Sequence, residues 1–245
     1  GITEDMTTSD VCHTILKPAT APKGWRDIAT LINAQKRWFK HLYENEATGG
    51  TQDAAPPGTR SYCEVLLDDA ATKDWVGKPT HFASHAWLYK FVEVVRTLRA
   101  FRDAQGEDAK VFFWFDCFSI DEHATQALSQ EWWGTTFKDA IRQIGHTVMV
   151  LSPWDAPVPL LRAWCLWEIY CSVATGAKFS IALGPEERKH FEAALLEDYE
   201  VLMKAFAHID VANAEAGNPD DKKMILDSVR ATKAGTNGLN MMVLQ

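Results

Sequence analysis

The chain has 245 residues, with 25 Lys and Arg against 33 Asp and Glu, a formal net charge of −8. That acidic balance excludes the basic footprint of a nucleic-acid binder, and 47% apolar against 24% charged residues is the composition of a chain that folds around a sizeable core. No apolar run approaches the roughly 20 residues of a membrane-spanning helix, and five cysteines without CxxC spacing form neither a disulfide framework nor a zinc ribbon.

Residues 1–76 read as a helical N-terminal extension packing on the core. The opening Gly1-Ile2-Thr3-Glu4-Asp5 lacks the basic-then-apolar layout of a secretory signal. With cysteines set among apolar neighbours, a reducing, cytoplasmic setting is expected. Thr8, Ser9 and Asp10 offer helix N-caps, and Pro18 is predicted to stop the helix that follows. Trp25, Ile28, Ile32, Phe39 and Leu42 recur near a helical period. Residues 48–59, rich in Gly and Pro, read as a loop, and Tyr62–Leu67 as a short helix.

An α/β domain is expected over residues 77–210. His81–Ser84 reads as a strand, and Phe91, Val94, Val95, Leu98 and Phe101 mark a helix. Residues 111–115 form a continuous apolar run, as in a strand buried on both faces. A long loop is predicted over 117–133, ending in Trp132-Trp133, before a helical stripe at Phe137, Ala140, Ile141 and Ile144. Strand, helix, strand and helix follow at 147–151, 160–174, 179–183 and 185–206. This alternation predicts a parallel sheet with helices on both faces, in a flavodoxin-like arrangement. Residues 211–245 read as a C-terminal helical extension, with a helix over 220–231 and an ambiguous run at 241–244.

In open α/β sheets a ligand binds beyond the carboxyl ends of the strands, where the strand order reverses. For a flavodoxin-like order that point lies between the first and third strands, so Ser84, Trp87, Trp154 and Glu168 are expected to converge there. Glu168 is the residue to explain. Leu161, Trp164 and Cys165 share its helical face, which gives the carboxylate apolar company. It either snorkels or pairs with a base such as Arg162, or it steadies a developing cationic sugar in glycosidic bond cleavage. Asp116 at the end of the second strand caps a loop or binds a ligand hydroxyl. Ser84 and His85, adjacent on a strand, point to opposite faces and make a poor nucleophile–base pair. His81, His85 and His123 lack metal-site spacing, so no metal is expected. Phosphate-loop, GxGxxG and HExxH patterns are absent.

Four segments together carry a family resemblance. They are Phe82-Ala83-Ser84-His85-Ala86-Trp87, Trp114-Phe115-Asp116, the 148–154 run ending in Ser152-Pro153-Trp154, and Arg162-Ala163-Trp164-Cys165-Leu166-Trp167-Glu168. In this order they resemble the Toll/interleukin-1 receptor (TIR) domain over residues 78–205. The resemblance implies a flavodoxin-like TIR fold. It also implies cleavage of the nicotinamide–ribose bond of NAD, taken as substrate and not as cofactor. Glu168 then is the catalytic residue, Trp164 the Trp of the Trp-x-x-x-Glu form, and Trp154 a pocket aromatic that stacks on nicotinamide or adenine. Ser84, His85, Trp87 and Asp116 complete the implied NAD-binding set. The family also contains non-catalytic adaptors, so TIR–TIR contacts or a homo-oligomer are implied as partners. Another enzyme of nucleoside or nucleotide N-glycosidic bonds is the further alternative.

Overall fold

A computed structural model describes residues 1–21, 59–125, 130–197, 213–217, 219–231 and 235–243. The expected helix from Trp25 to Leu42, the 48–58 part of the expected loop and the end of the 185–206 helix beyond Glu197 lie outside the described residues.

The sheet has four strands, all parallel, in the order β2-β1-β3-β4: β1 is His81–Ser84, β2 Phe113–Trp114, β3 His146–Val150 and β4 Lys178–Ala182. Phe82 stands beside Trp114 of β2 and Thr147 of β3, and Val148 is flanked by Ala83 and Ser180. Strand β2 is shorter than the apolar run at 111–115 predicted. Side chains take its backbone groups at both ends: Phe112 N donates to Thr80 Oγ1 at 3.0 Å, and Phe115 N to Ser119 Oγ at 3.2 Å. The Ser119 bond is local and competes with the ladder beyond Trp114.

Successive strand side chains point to opposite faces, and both faces are covered. Phe82, Met149 and Leu151 bury one face against α6 (Gln130–Ile144), α7 (Ala163–Thr175), α9 (Pro219–Arg230) and α10 (Gly235–Val243). Ala83, Val148, Val150 and Ala182 bury the other against α4 (Phe91–Asp103) and the N-terminal helices. The central strands β1 and β3 therefore read as near-continuous apolar runs because both their faces are buried, whereas the edge strand β4 leaves Ile181 exposed.

At the N-terminus, α1 (Thr8–Val11) runs through a π turn over Cys12–Leu16 into α2 (Lys17–Thr20). Thr7 caps α1, with Asp10 N donating to Thr7 Oγ1 at 3.1 Å and Thr7 N to Asp10 Oδ2 at 2.9 Å. Pro18 does not stop this helix, contrary to expectation. It lacks an N–H, but the widened turn before it lets Lys17 N reach back to Cys12 O, and the helix continues to Thr20. Helix α3 (Tyr62–Leu67) lies where expected, capped by Ser61 and Glu64.

The expected loop over 117–133 is corrected as well. A one-turn helix α5 (Asp116–Ser119) occupies its start, and α6 begins at Gln130, so Trp132 and Trp133 stand on helical backbone. A stretch without Gly or Pro carries no strong breaker against helix. A 3₁₀ turn (Val158–Leu161) precedes α7, which ends at Gly176 with φ +70°, a left-handed position that glycine adopts without strain. Helix α8 spans Pro185–Glu197, and the ambiguous C-terminal run falls partly within α10. Among the described residues no helix is long and apolar enough to cross a membrane.

Candidate functional site

Strand β1 has β2 on one side and β3 on the other, so the chain crosses over β1 between β2 and β3. The chain leaves β1 for α4 on one face and β3 for α7 on the other, the arrangement at which an open α/β sheet can hold a crevice. Tyr89 closes one part of it. Its hydroxyl donates to Ser152 O, and Ser152 N donates back to Tyr89 Oη at 3.0 Å. Burial pushes the Tyr89 phenol up from its ordinary value, so it stays a neutral clamp.

Helix α7 lies across β3 with its buried residues toward the sheet. Ser172 Oγ is 2.7 Å from Thr147 Oγ1 on β3 and 2.7 Å from the carbonyl of Glu168, one turn earlier. That shared hydroxyl fixes the height of α7 against the strand, and with it the place of Glu168. Ser84, the last residue of β1, donates its hydroxyl to Glu168 Oε2. Three residues before Glu168, the Cys165 thiol donates to the carbonyl of His85 at 3.5 Å.

Glu168 is half-buried. Burial pushes its carboxyl up to about 8, Asp116 pushes the same way, and the Ser84 hydrogen bond opposes both. No Arg or Lys balances it: Glu168 forms no ion pair among the described residues, so the pairing with Arg162 does not occur. A carboxyl desolvated without a counter-cation favours its neutral form. A cation brought beside it is strongly attracted once the proton leaves.

A second pair lies beside the first. Trp87 Nε1 donates to Asp116 Oδ2 at 2.5 Å, and Cys117 N donates to Asp116 Oδ1 at 2.7 Å. Asp116 also raises Glu122, whose carboxyl burial pushes up to about 7. His85 is buried against the Phe115 ring, with centroids 4.5 Å apart, and its Nε2 has no hydrogen-bond partner. Burial lowers its pKa, and Asp116 opposes that. The strand alternation sends Ser84 to the α7 side and His85 to the α4 side, so the two form no dyad.

The structure thus brings Ser84 and Glu168 into contact, and Trp87 and Asp116 into contact, with Asp116 felt electrostatically by Glu168 and His85. It engages the other two expected residues elsewhere. Trp154 is buried edge-to-face against Phe191 of α8 at 5.5 Å, and its N donates to Glu187 Oε2 at 2.8 Å. Trp164 Nε1 donates to Asp221 Oδ2 of α9 at 3.1 Å. Of the histidines, His123 Nε2 lies 3.0 Å from Thr20 Oγ1 in α2. Among the described residues no group of three or more His, Cys, Asp or Glu is placed to hold a metal ion.

Three structural supports of the site escape sequence reasoning. Tyr89 and the Thr147–Ser172 pair act across the sheet, and only the small hydroxyls inside apolar runs hinted at the latter. The third is the N-terminal run. Ser9 N donates to Trp87 O at 3.1 Å, Thr8 N to Tyr89 O at 3.0 Å, and Phe91 N to Met6 O at 2.8 Å. These backbone bonds bind residues about 80 apart in sequence, a link no local pattern carries.

No protein-family model, curated protein or solved structure matches this chain. The functional reading rests on the site itself.

Proposed function

We propose that the chain is a TIR-like enzyme of flavodoxin-like architecture that cleaves the bond between nicotinamide and ribose in NAD, with Glu168 as the catalytic residue. The observation that carries this reading is the half-buried, unpaired Glu168 carboxyl, held by Ser84 at the crossover between β1 and β3. The reaction suits such a group. The nicotinamide ring of NAD is cationic. When its bond to ribose breaks, the electron pair leaves with nicotinamide, which becomes neutral, and positive charge passes to the ribose ring.

A carboxylate beside that ring stabilises the charge as it develops. Water then adds to the anomeric carbon and releases a proton, giving ADP-ribose. The Ser84 hydroxyl orients Glu168, and the Trp87 indole, fixed by Asp116, offers an aromatic face at the mouth of the crevice. The Glu168 carboxyl is neutral in the empty site at pH 7 and ionises as the cationic substrate enters, so binding is coupled to proton release.

The direct test is nicotinamide release from NAD by the wild-type protein and by Glu168→Gln, with both shown to be folded. Wild type is expected to release nicotinamide and the variant to lose about 10²–10³-fold in kcat, the usual effect of removing one electrostatic catalyst. A folded wild type without release, or equal release by both, overturns the reading. Purine and pyrimidine nucleosides in parallel reactions separate an NAD enzyme from one acting on other N-glycosides.

A further inference from the structure

A cleft of about 640 Å³ opens at the β2 edge of the sheet, between α3, the 3₁₀ turn Lys73–Trp75 and α4. None of Ser84, His85, Trp87, Asp116 or Glu168 lines it. Its volume falls within the range of about 300–1,000 Å³ that holds a small organic ligand. The floor is aromatic, with Phe112, Phe113, Phe115 and Phe118 among its lining residues.

Two features show that the cleft is shaped by its own residues. Gly77 lies against the Phe112 ring: a Cβ there would come within 2.7 Å of Phe112 Cζ. Only glycine lets the ring take that place in the wall. At the rim, Trp75 leaves 70% of its surface in solvent, an exposed large apolar group of the kind that marks binding surfaces.

The charge pattern selects the ligand. In a chain of net charge −8, the only charged residues among those described that line the cleft are Arg99 and Arg102. Along α4, Arg96 pairs with Glu93 at 2.6 Å and Glu4 at 3.2 Å, and Arg102 pairs with Asp103 at 2.6 Å. Arg99, one turn from each, forms no ion pair among the described residues. An apolar trough with one uncommitted guanidinium at its edge complements a molecule with an apolar body and a single anionic head.

We propose that this cleft binds a free amphipathic carboxylate of the fatty-acid type, its chain along the Phe112–Phe118 floor and its carboxylate on Arg99. The site is separate from the Glu168 crevice, so it stands or falls independently of the NAD reading.

The test uses the full chain with 11-(dansylamino)undecanoate as a fluorescent probe. Dodecanoate below its micelle concentration displaces the probe at one site per chain, whereas dodecanol and butyrate displace it weakly. Arg99→Gln, a surface change, weakens dodecanoate about tenfold or more, the cost of one charged hydrogen-bonded contact, and removes its advantage over dodecanol. Val95→Trp, which fills the cleft, abolishes probe binding while the variant keeps its circular dichroism spectrum. Glu168→Gln binds as wild type does. Failure of dodecanoate to displace the probe, an unchanged affinity in Arg99→Gln, binding only to anionic vesicles, or concentration-dependent dimerisation that Val95→Trp abolishes each overturns the proposal.

Discussion

At the amino ends of β1 and β3, His81 and His146 lie with ring centroids 4.4 Å apart, edged by Phe101. At the carboxyl ends of the same sheet, Ser84 holds Glu168, and Asp116 holds Trp87. Both ends perturb ionisable groups, in opposite directions. Burial, the charge of His81 and Lys178 bring His146 down to about 4, and burial and Lys178 lower His81. Burial and Asp116 bring Glu168 up to about 8.

A perturbed pKa therefore does not by itself mark a site. Each histidine has a neighbouring hydroxyl: His146 Nε2 lies 2.9 Å from Ser180 Oγ and His81 Nδ1 2.8 Å from Thr80 Oγ1. The carboxyl end lies at the crossover of strand order and holds Glu168 without a counter-cation among the described residues. Topology and an unbalanced charge together make the difference.

The largest test of that contrast is pH. Glu168 moves from an ordinary 4.5 to about 8, so the folded protein keeps a proton that the unfolded chain loses in that window. Stability contributed by this group falls as pH rises from 4.5 to 8 and then levels off. Glu168→Gln is expected to unfold like wild type at pH 4 and several degrees higher at pH 9, on the order of a few kcal/mol, measured by thermal melts across pH. For the proposed reaction, which uses the ionised carboxylate, kcat/KM rises with pH to a midpoint near 8 in the free enzyme. Stability and activity move in opposite directions with pH. A variant no more stable than wild type at pH 9 breaks the account of Glu168 as an uncompensated buried acid.

Next in size is the latch between α7 and β3. Ser172→Ala removes the hydroxyl shared by Thr147 and the Glu168 carbonyl, leaving Thr147 Oγ1 without that partner in the core. A loss of about 1–3 kcal/mol in unfolding free energy is expected from denaturant melts. Glu168 moves with its helix, so kcat falls more than KM rises. The same free-energy loss with unchanged kinetics shows that α7 holds Glu168 without this bond.

The histidine end supplies a smaller and opposite pH effect. The folded value of His146, about 4, lies below its ordinary 6.5, so the unfolded chain binds the extra proton first. Its contribution is intact above pH 6.5 and is lost as pH falls toward 4. His146→Gln is expected to flatten the decline in melting temperature between pH 6.5 and 5, by less than the Glu168 effect because His146 is only half-buried. An unchanged decline places the acid sensitivity elsewhere.

The central strands were legible because both their faces are buried. Apolar runs at His81–Ser84 and 147–151 leave little alternative to parallel strands, and the helical stripes between them set the crossovers. Glu168 was legible for the same reason, as one acid on an otherwise apolar helix face beside a predicted switch point. Ser84, ending β1, followed from topology alone. What sequence spacing could not show is where a large ring turns. Trp154 and Trp164 flank the crevice in sequence, but Phe191 and Asp221, on helices far along the chain, engage them. The Pro18 expectation failed because a π turn lets the helix pass a breaker, and the 117–133 expectation failed because a stretch without Gly or Pro gives nothing to stop a helix.

The smallest effect probes how the two carboxyls of the site communicate. Asp116 raises Glu168 through its negative charge, after burial and the opposing Ser84 bond in importance. Asp116→Asn removes that charge and keeps a carbonyl oxygen for Trp87 Nε1. The acid limb of kcat/KM is then expected to move to lower pH by less than one unit, a change of under about 1.4 kcal/mol in the ionisation of Glu168. Asp116→Ala also frees Trp87, so it lowers affinity for NAD in addition to moving the limb. If both variants move the limb equally and leave KM unchanged, Asp116 acts only as a charge, and Trp87 plays no part in holding the substrate. If neither moves it, the raised value of Glu168 comes from burial alone, and the contrast between the two ends of the sheet reduces to what each end excludes from water.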